Sequence, residues 1–232
     1  QMGATMFTGN KCIGSIVVNR EAGRGFSDKE QAQLMTFADQ AVVAIQNARL
    51  FRETQEALER QTATADVLGV ISSSVGDTGP VFDQILQSCE RLFPAIGFNL
   101  HLVNEAGLLD VVRMHATAPT LAQYGQQALE AFEAAIRSLY PMPLAGTHAE
   151  LAFQRGELVE LNDVLNDPNA PRNLLASAKL VGQSYSALIA PLMWEGRGIG
   201  VIFATRPPGT FLPKERALLK TFADQAVIAI QN

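Results

Sequence analysis

Apolar residues recur at helical spacing through Leu34, Phe37, Ala41, Ala44, Ile45 and Ala48, and no glycine or proline interrupts before Gly69. The pattern predicts a helix of about forty residues, longer than one globular layer needs. Its start is written in capping chemistry. Ser27 is the N-cap, Glu30 follows at the capping-box spacing, and Phe26 is placed as a hydrophobic staple. A β-rich run at residues 13–20 and a glycine-containing loop precede it. Beyond Asn47 the helix turns polar and keeps only a sparse stripe, Phe51, Leu58, Ala65 and then Leu68 or Ser72. The spacing of seven through Phe51, Leu58 and Ala65 is that of a short coiled-coil seam, weakened by Gln55 and Thr62; a solvated connector helix is the plain alternative.

The pattern then changes period repeatedly. Residues 76–80, Gly-Asp-Thr-Gly-Pro, punctuate the chain, with Asp77 or Thr78 as cap for a helix from Val81. Phe82, Ile85, Leu86, Cys89, Leu92 and Phe93 give that helix an apolar face. Strands at 97–104 and 108–117 are joined by Glu105-Ala106-Gly107. A helical stretch at 121–139 ends before Pro141 and Pro143, and a helix at 147–155 leads to a short strand at 158–161. Residues 162–173 form a loop rich in Asn, Asp and Pro, and a helix at 174–181 follows. Strands at 184–194 and 198–206 form a hairpin around Glu195-Gly196, and a helix closes the chain. This order predicts an α+β fold: an antiparallel sheet with helices on both faces, preceded by a long connector helix.

One stretch occurs twice. Residues 13–47, IGSIVVNREAGRGFSDKEQAQLMTFADQAVVAIQN, are nearly repeated at 199–232, IGVIFATRPPGTFLPKERALLKTFADQAVIAIQN. Copies about 185 residues apart indicate tandem domains, not a short-period solenoid. In the second copy Leu212 replaces the capping serine and Pro213 takes the first helical position, where its missing N–H costs nothing; Phe211 is the staple. The expected organisation is the C-terminal part of a truncated first domain at 1–50, a connector helix at 51–75 and a complete second domain at 76–232. The first copy runs on past Asn47, so the second is expected to run on past Asn232, and the first copy's hairpin is expected to lie exposed.

Composition narrows the function. Net charge is −5 and the lysines and arginines are scattered, which leaves no basic stripe for nucleic acid. Cys12 and Cys89 fall in different copies, so neither a disulfide framework nor a four-cysteine metal site can form, in keeping with a reducing cytoplasm. The longest apolar stretch, near residues 187–194, is far shorter than the roughly 20 residues of a membrane span, and no signal peptide opens the chain. A cytoplasmic protein without membrane contact is expected.

Motif-like runs give no catalytic machinery. Gly196, Gly198 and Gly200 lead into a strand, whereas a phosphate cradle opens a helix, so they read as hairpin geometry. His148-Ala149-Glu150 lacks the Pro-Cys-x-x-Cys partner of a zinc deaminase. Asp163 and Asp167 do not have calcium-loop spacing and suit Asx turns. Cys89, on an apolar helix face, reads as a small core hydrophobe. No nucleophile, base and orienter can be assembled, so an enzyme is not expected.

The hairpin segment SALIAPLMWEGRGIGVIFATR and the terminal helix FLPKERALLKTFADQAVIAIQN resemble the GAF domain family, as do TFADQAVVAIQNARLF at 36–51 and ELVELNDVLNDP at 157–168. The resemblance implies an antiparallel sheet with the first and last helices on one face and a ligand cavity on the other. It also implies terminal helices that continue between domains and pair with a second subunit. Candidate cavity residues on that basis are His115, Tyr124, Phe132, Ile136, Tyr140, Asp163, Arg172, Asn173 and Tyr185, and the candidate dimer seam is Phe51, Leu58 and Ala65. Members that reduce methionine sulfoxide need several cysteines in one domain, and the second domain here offers one, Cys89. The cyclic-nucleotide pattern is missing its lysine after Asn162 and its Phe with an Asp-Glu pair. His101, His115 and His148 are scattered without a haem motif, so no cofactor is assigned. The expected function is a non-catalytic sensory module that binds a small molecule or relays a conformational signal to an output such as a histidine kinase or nucleotide cyclase. The alternative is a structural spacer and dimerisation module without a physiological ligand.

Overall fold

A computed structural model describes residues 1–21, 23, 25–73 and 79–231, and of residues 60, 63, 64 and 66–73 the backbone alone. The candidate caps Asp77 and Thr78 and the side chains of Leu68 and Ser72 therefore lie outside the described residues. The chain divides into two units, residues 1–61 and 62–232.

In the first unit, strands β1 (Met2–Thr8) and β2 (Lys11–Val18) form an antiparallel hairpin whose register shifts between Met6 and Phe7. Helix α1 (Asp28–Ser73) follows, 46 residues long. Its capping box is formed: the Glu30 N–H donates to Ser27 Oγ at 3.3 Å, and the Ser27 N–H donates to the Glu30 carboxylate at 2.8 Å. Arg20 also binds that carboxylate, and hydrogen bonds from Arg20 first and Ser27 next lower its pKa to about 2. A small core of Ala4, Leu34 and Ala38 joins α1 to the hairpin, with Met2, Met6 and Ile16 at its edge.

The second unit contains α2 (Gly79–Leu92), β3 (Gly97–Val103), β4 (Leu108–Ala116), α3 (Ala118–Tyr124), α4 (Gln126–Arg137), β5 (Met142–Pro143), α5 (His148–Arg155), β6 (Val159–Leu161), α6 (Arg172–Val181), β7 (Ser186–Trp194), β8 (Arg197–Arg206) and α7 (Pro213–Gln231). Six strands form one antiparallel sheet in the order β5-β4-β3-β8-β7-β6.

Alternation along the central strands splits the core in two. Phe98, Leu100, Leu188, Ala190, Ile202 and Ala204 face α2 and α7, where they meet Phe82, Ile85, Cys89, Leu219 and Phe222. Their neighbours Ala187, Ile189, Val201 and Phe203 face the other way, toward Ala149 and Ala152 of α5 and Leu174 and Ala178 of α6. Cys89 is fully buried and burial pushes its thiol pKa up, as for a packing residue. The β7–β8 turn places Glu195 at φ 47° and Gly196 at φ 77°, a left-handed pair suited to a two-residue hairpin.

Three local expectations need correction. The single helical stretch at 121–139 is two helices, α3 and α4, because Gly125 adopts φ 79° between them. Residues 142–143 pair with β4 as a short edge strand. Helix α6 begins at Arg172, so Arg172 and Asn173 stand in a first helical turn instead of a loop.

Candidate functional site

The sheet face opposite α2 and α7 leaves a cavity of about 540 Å³ beneath α3, α4 and α6. Strand alternation supplies its floor: Asn99 and His101 of β3, Met114 of β4, and Phe203 and Thr205 of β8 point into it. In β3–β8 pairing Asn99 lies opposite Phe203 and His101 opposite Val201, which fixes these side chains on one face. Helix α4 roofs the cavity with Leu129, Phe132 and Ile136, three positions at i, i+3 and i+7. Tyr124 of α3, Leu174 and Ser177 of α6, and Tyr140 and Tyr185 from the connections complete most of the wall.

At one end of the cavity Asn173 organises a polar cluster. Its Oδ1 accepts from the His148 backbone N–H at 3.2 Å, which fixes the amide orientation. The amide nitrogen then donates to Tyr140 Oη at 3.0 Å and to His148 Nδ1 at 2.5 Å. His148 is thereby the tautomer protonated on Nε2, and burial lowers its pKa to about 4. His101 packs edge-on against Tyr140, His148 and Phe203, with ring centroids 4.9–5.1 Å apart. Burial holds its pKa well below the ordinary histidine value, and His148 and Arg137 add to that. His101 Nδ1 and His148 Nε2 are buried without a hydrogen-bond partner among the described residues. Tyr185 donates its hydroxyl to the Leu174 carbonyl at 3.2 Å, and burial raises its pKa to about 12. Thus the wall is uncharged at neutral pH.

Of the nine sequence candidates, Tyr124, Phe132, Ile136, Tyr140, Asn173 and Tyr185 line the cavity. The other three do not. His115 alternates with Met114 and points to the opposite face of β4, where Nε2 meets the Glu90 carboxylate at 2.6 Å. Burial works against the charge on Glu90, but hydrogen bonds from the Ala118 N–H and His115 hold its pKa below the usual carboxylate value. Asp163 accepts from the hydroxyl of Ser184 and the amide of Asn166, so it braces a loop behind the cavity wall. Hydrogen bonding from Ser184, then Asn166, lowers its pKa. Arg172 donates to the Pro143 carbonyl at 3.0 Å beside Gly146, on the outer side of α6.

His101, His148 and Phe203 are not among the sequence candidates, and the three histidines lie scattered along the chain. Folding brings two of them together, with centroids 5.1 Å apart. For His101 and Phe203 a signal existed: both alternate with apolar residues that face α2 and α7. His148 had none, because it enters from the first turn of a short helix behind the wall. Among the described residues no group of three His, Cys, Asp or Glu side chains is placed to hold a metal ion, and no helix is long and apolar enough to cross a membrane.

A family model of the GAF domain matches residues 77–230. Among solved structures, the GAF domain of a phosphoenolpyruvate-protein phosphotransferase from Coxiella burnetii is 13% identical with a TM-score of 0.55, covering 75% of this chain and 94% of its own. A GAF domain/HD domain protein from Geobacter sulfurreducens is 14% identical with a TM-score of 0.53, covering 68% and 95%. The free methionine-R-sulfoxide reductase of Neisseria meningitidis, solved with its substrate, is 17% identical with a TM-score of 0.52, covering 76% and 90%. At such identities the likeness is one of fold. A comparison with curated protein sequences finds no significant match. The matched residues make up more than half of the chain and span the sheet, the paired helices α2 and α7 on one face and the roofed cavity on the other, so the chain belongs to the GAF domain family.

Proposed function

We propose that residues 76–232 act as a non-catalytic sensory module in which a small molecule in the cavity shifts a packing equilibrium. The connector helices then carry that shift to an output domain such as a histidine kinase or nucleotide cyclase. GAF domains form a family of sensory and regulatory modules, which gives the general class. The observation that carries the more specific reading is the 540 Å³ cavity itself, whose wall mixes apolar side chains with hydrogen-bonding groups. A filled cavity would instead have favoured a structural spacer. Catalysis like that of the sulfoxide reductase has no support: the unit's single cysteine, Cys89, is packed in the α2–α7 core and does not line the cavity.

A ligand acts as a signal only if it binds one helix arrangement better than another. Helix α1 is the proposed relay and dimer seam, since Phe51, Leu58 and Ala65 recur at heptad spacing and all three are exposed. The occupant we assign to that stripe is the same stripe of a second copy. Residues 1–50 are read as the closing hairpin and helix of another domain of the same kind.

Thermal melting against a metabolite library tests the ligand reading, because a specific ligand raises the melting temperature by mass action. A concentration-dependent rise that Ser177→Trp abolishes by filling the cavity is the expected outcome. Sedimentation equilibrium tests the seam. Dimers are expected, with Phe51→Glu and Leu58→Glu giving monomers; a monomer at high concentration before substitution overturns the dimer.

A further inference from the structure

We infer that the cavity takes an uncharged, partly aromatic molecule whose hydrogen-bond acceptor meets the Tyr140 hydroxyl. This inference rests on the reading of the cavity as a ligand site. Its first support is what the wall lacks. Among the described residues lining the cavity there is no Asp, Glu, Lys or Arg. Its ionisable members are His101 and three tyrosines, and burial keeps His101 neutral while raising the pKa of Tyr140 and Tyr185. A carboxylate, phosphate or ammonium entering this space leaves water with no opposite charge to receive it.

Charges just behind the wall are already engaged. Arg137 pairs with Glu133 at 2.7 Å and donates to the Val111 carbonyl at 2.8 Å. Asp163 is held by Ser184 and Asn166, and Arg172 by the Pro143 carbonyl. None of them is left to answer a charged ligand without breaking one of these bonds.

The second support is the hydrogen-bonding arithmetic at the polar end. The Asn173 amide nitrogen has no lone pair to offer, so Tyr140 Oη must accept in their 3.0 Å contact. The Tyr140 hydroxyl hydrogen therefore has no acceptor in the hydrogen bonds described, although the ring lines the cavity. Beside it, His101 also lines the cavity, is 2% exposed, and has an unpartnered Nδ1. The wall also carries Leu129, Phe132, Ile136 and Leu174, which suit an apolar or aromatic body, together with the uncharged polar side chains of Asn99, Gln123 and Thr205. A volume of about 540 Å³ fits a molecule of two or three rings.

Matched probes on the whole chain test this by titration calorimetry: 2-naphthamide against 2-naphthoate, and 2-naphthylmethanol against 2-naphthylmethylammonium. Each neutral member should bind at least about tenfold more tightly than its charged partner, which reflects the unmatched desolvation. Tyr140→Phe, checked for native circular dichroism, should weaken 2-naphthamide by about three- to tenfold, the net worth of one hydrogen bond. Equal or tighter binding of a charged member, or naphthamide binding indifferent to Tyr140→Phe, overturns the assigned class while leaving a ligand site in place. Failure of all four probes to bind at millimolar concentration overturns the ligand site along with the class.

Discussion

The two copies of the repeated stretch share an arginine at or just past the strand, a staple phenylalanine and a first-turn glutamate, yet these side chains sit in different surroundings. In the first copy Arg20 stacks over Phe26 at 4.4 Å and binds Glu30, with both charged side chains about one-third exposed. In the second, Arg206 stacks over Phe211 at 3.8 Å and binds Glu215 at 2.9 Å, and the Glu215 side chain is 2% exposed. In each, the glutamate accepts the N–H of the residue three before it, Ser27 or Leu212. The contrast is sharper on the helices. Phe222 is fully buried against α2, whereas its counterpart Phe37 is 61% exposed. The lesson is that the local device forms wherever the local sequence occurs, while its energetic weight depends on what packs over it.

Phe222→Ala should break the comparison most severely. It removes a ring buried between α2, α7 and the sheet and should cost about 3–5 kcal/mol in denaturant unfolding of the second unit. Phe37→Ala should stay within about 0.5 kcal/mol for the first. Equal costs would mean that Phe37 is covered in solution. Glu215→Gln comes next: losing one charge of a buried pair should cost about 3 kcal/mol. Glu30→Gln should leave the first unit's denaturation midpoint near its starting value, since that pair is exposed to solvent.

Acid should separate the units again, because all three histidines, His101, His115 and His148, belong to the second. His101 and His148 bind protons less readily folded than unfolded, so the unfolded state takes up more protons as pH falls through 6.5. Stability of the second unit should therefore decline from pH 6.5 toward pH 4, with His148 contributing on the order of 3 kcal/mol. Denaturation series at pH 7.5, 5.5 and 4.5 check this, and His148→Gln should flatten the trend. The smallest contrast is in the caps. Ser27→Ala should cost about 1 kcal/mol in the first copy, and Pro213→Ala about 0.5 kcal/mol in the second.

Much of the fold was legible because periodicity and punctuation are local. The α1 helix with its capping box, the Glu195-Gly196 hairpin and the apolar face of α2 each rest on residues near one another in sequence. The break between α3 and α4 was missed because Gly125 alone inside an apolar pattern is compatible with a continuous helix until its φ is known. Tyr124, Phe132, Ile136, Tyr140, Asn173 and Tyr185, which line the cavity, are named by the family resemblance and not by spacing. His115 was misplaced by one step of strand alternation, which carried it to Glu90. Arg172 and Asp163 are named by the same resemblance, yet Arg172 donates to the Pro143 carbonyl and Asp163 accepts from Ser184, outside the cavity lining.

The sequence alone determined the repeat, most of the helices and strands, the antiparallel sheet and the likeness to the family, because each depends on spacing or short motifs. Tertiary structure decided which copy buries its phenylalanine, that Asn173 joins Tyr140 to His148, and that the wall of the cavity carries no formal charge. These depend on residues as far apart as Asn99 and Phe203 meeting on one sheet face, and that juxtaposition is set by packing across the whole unit.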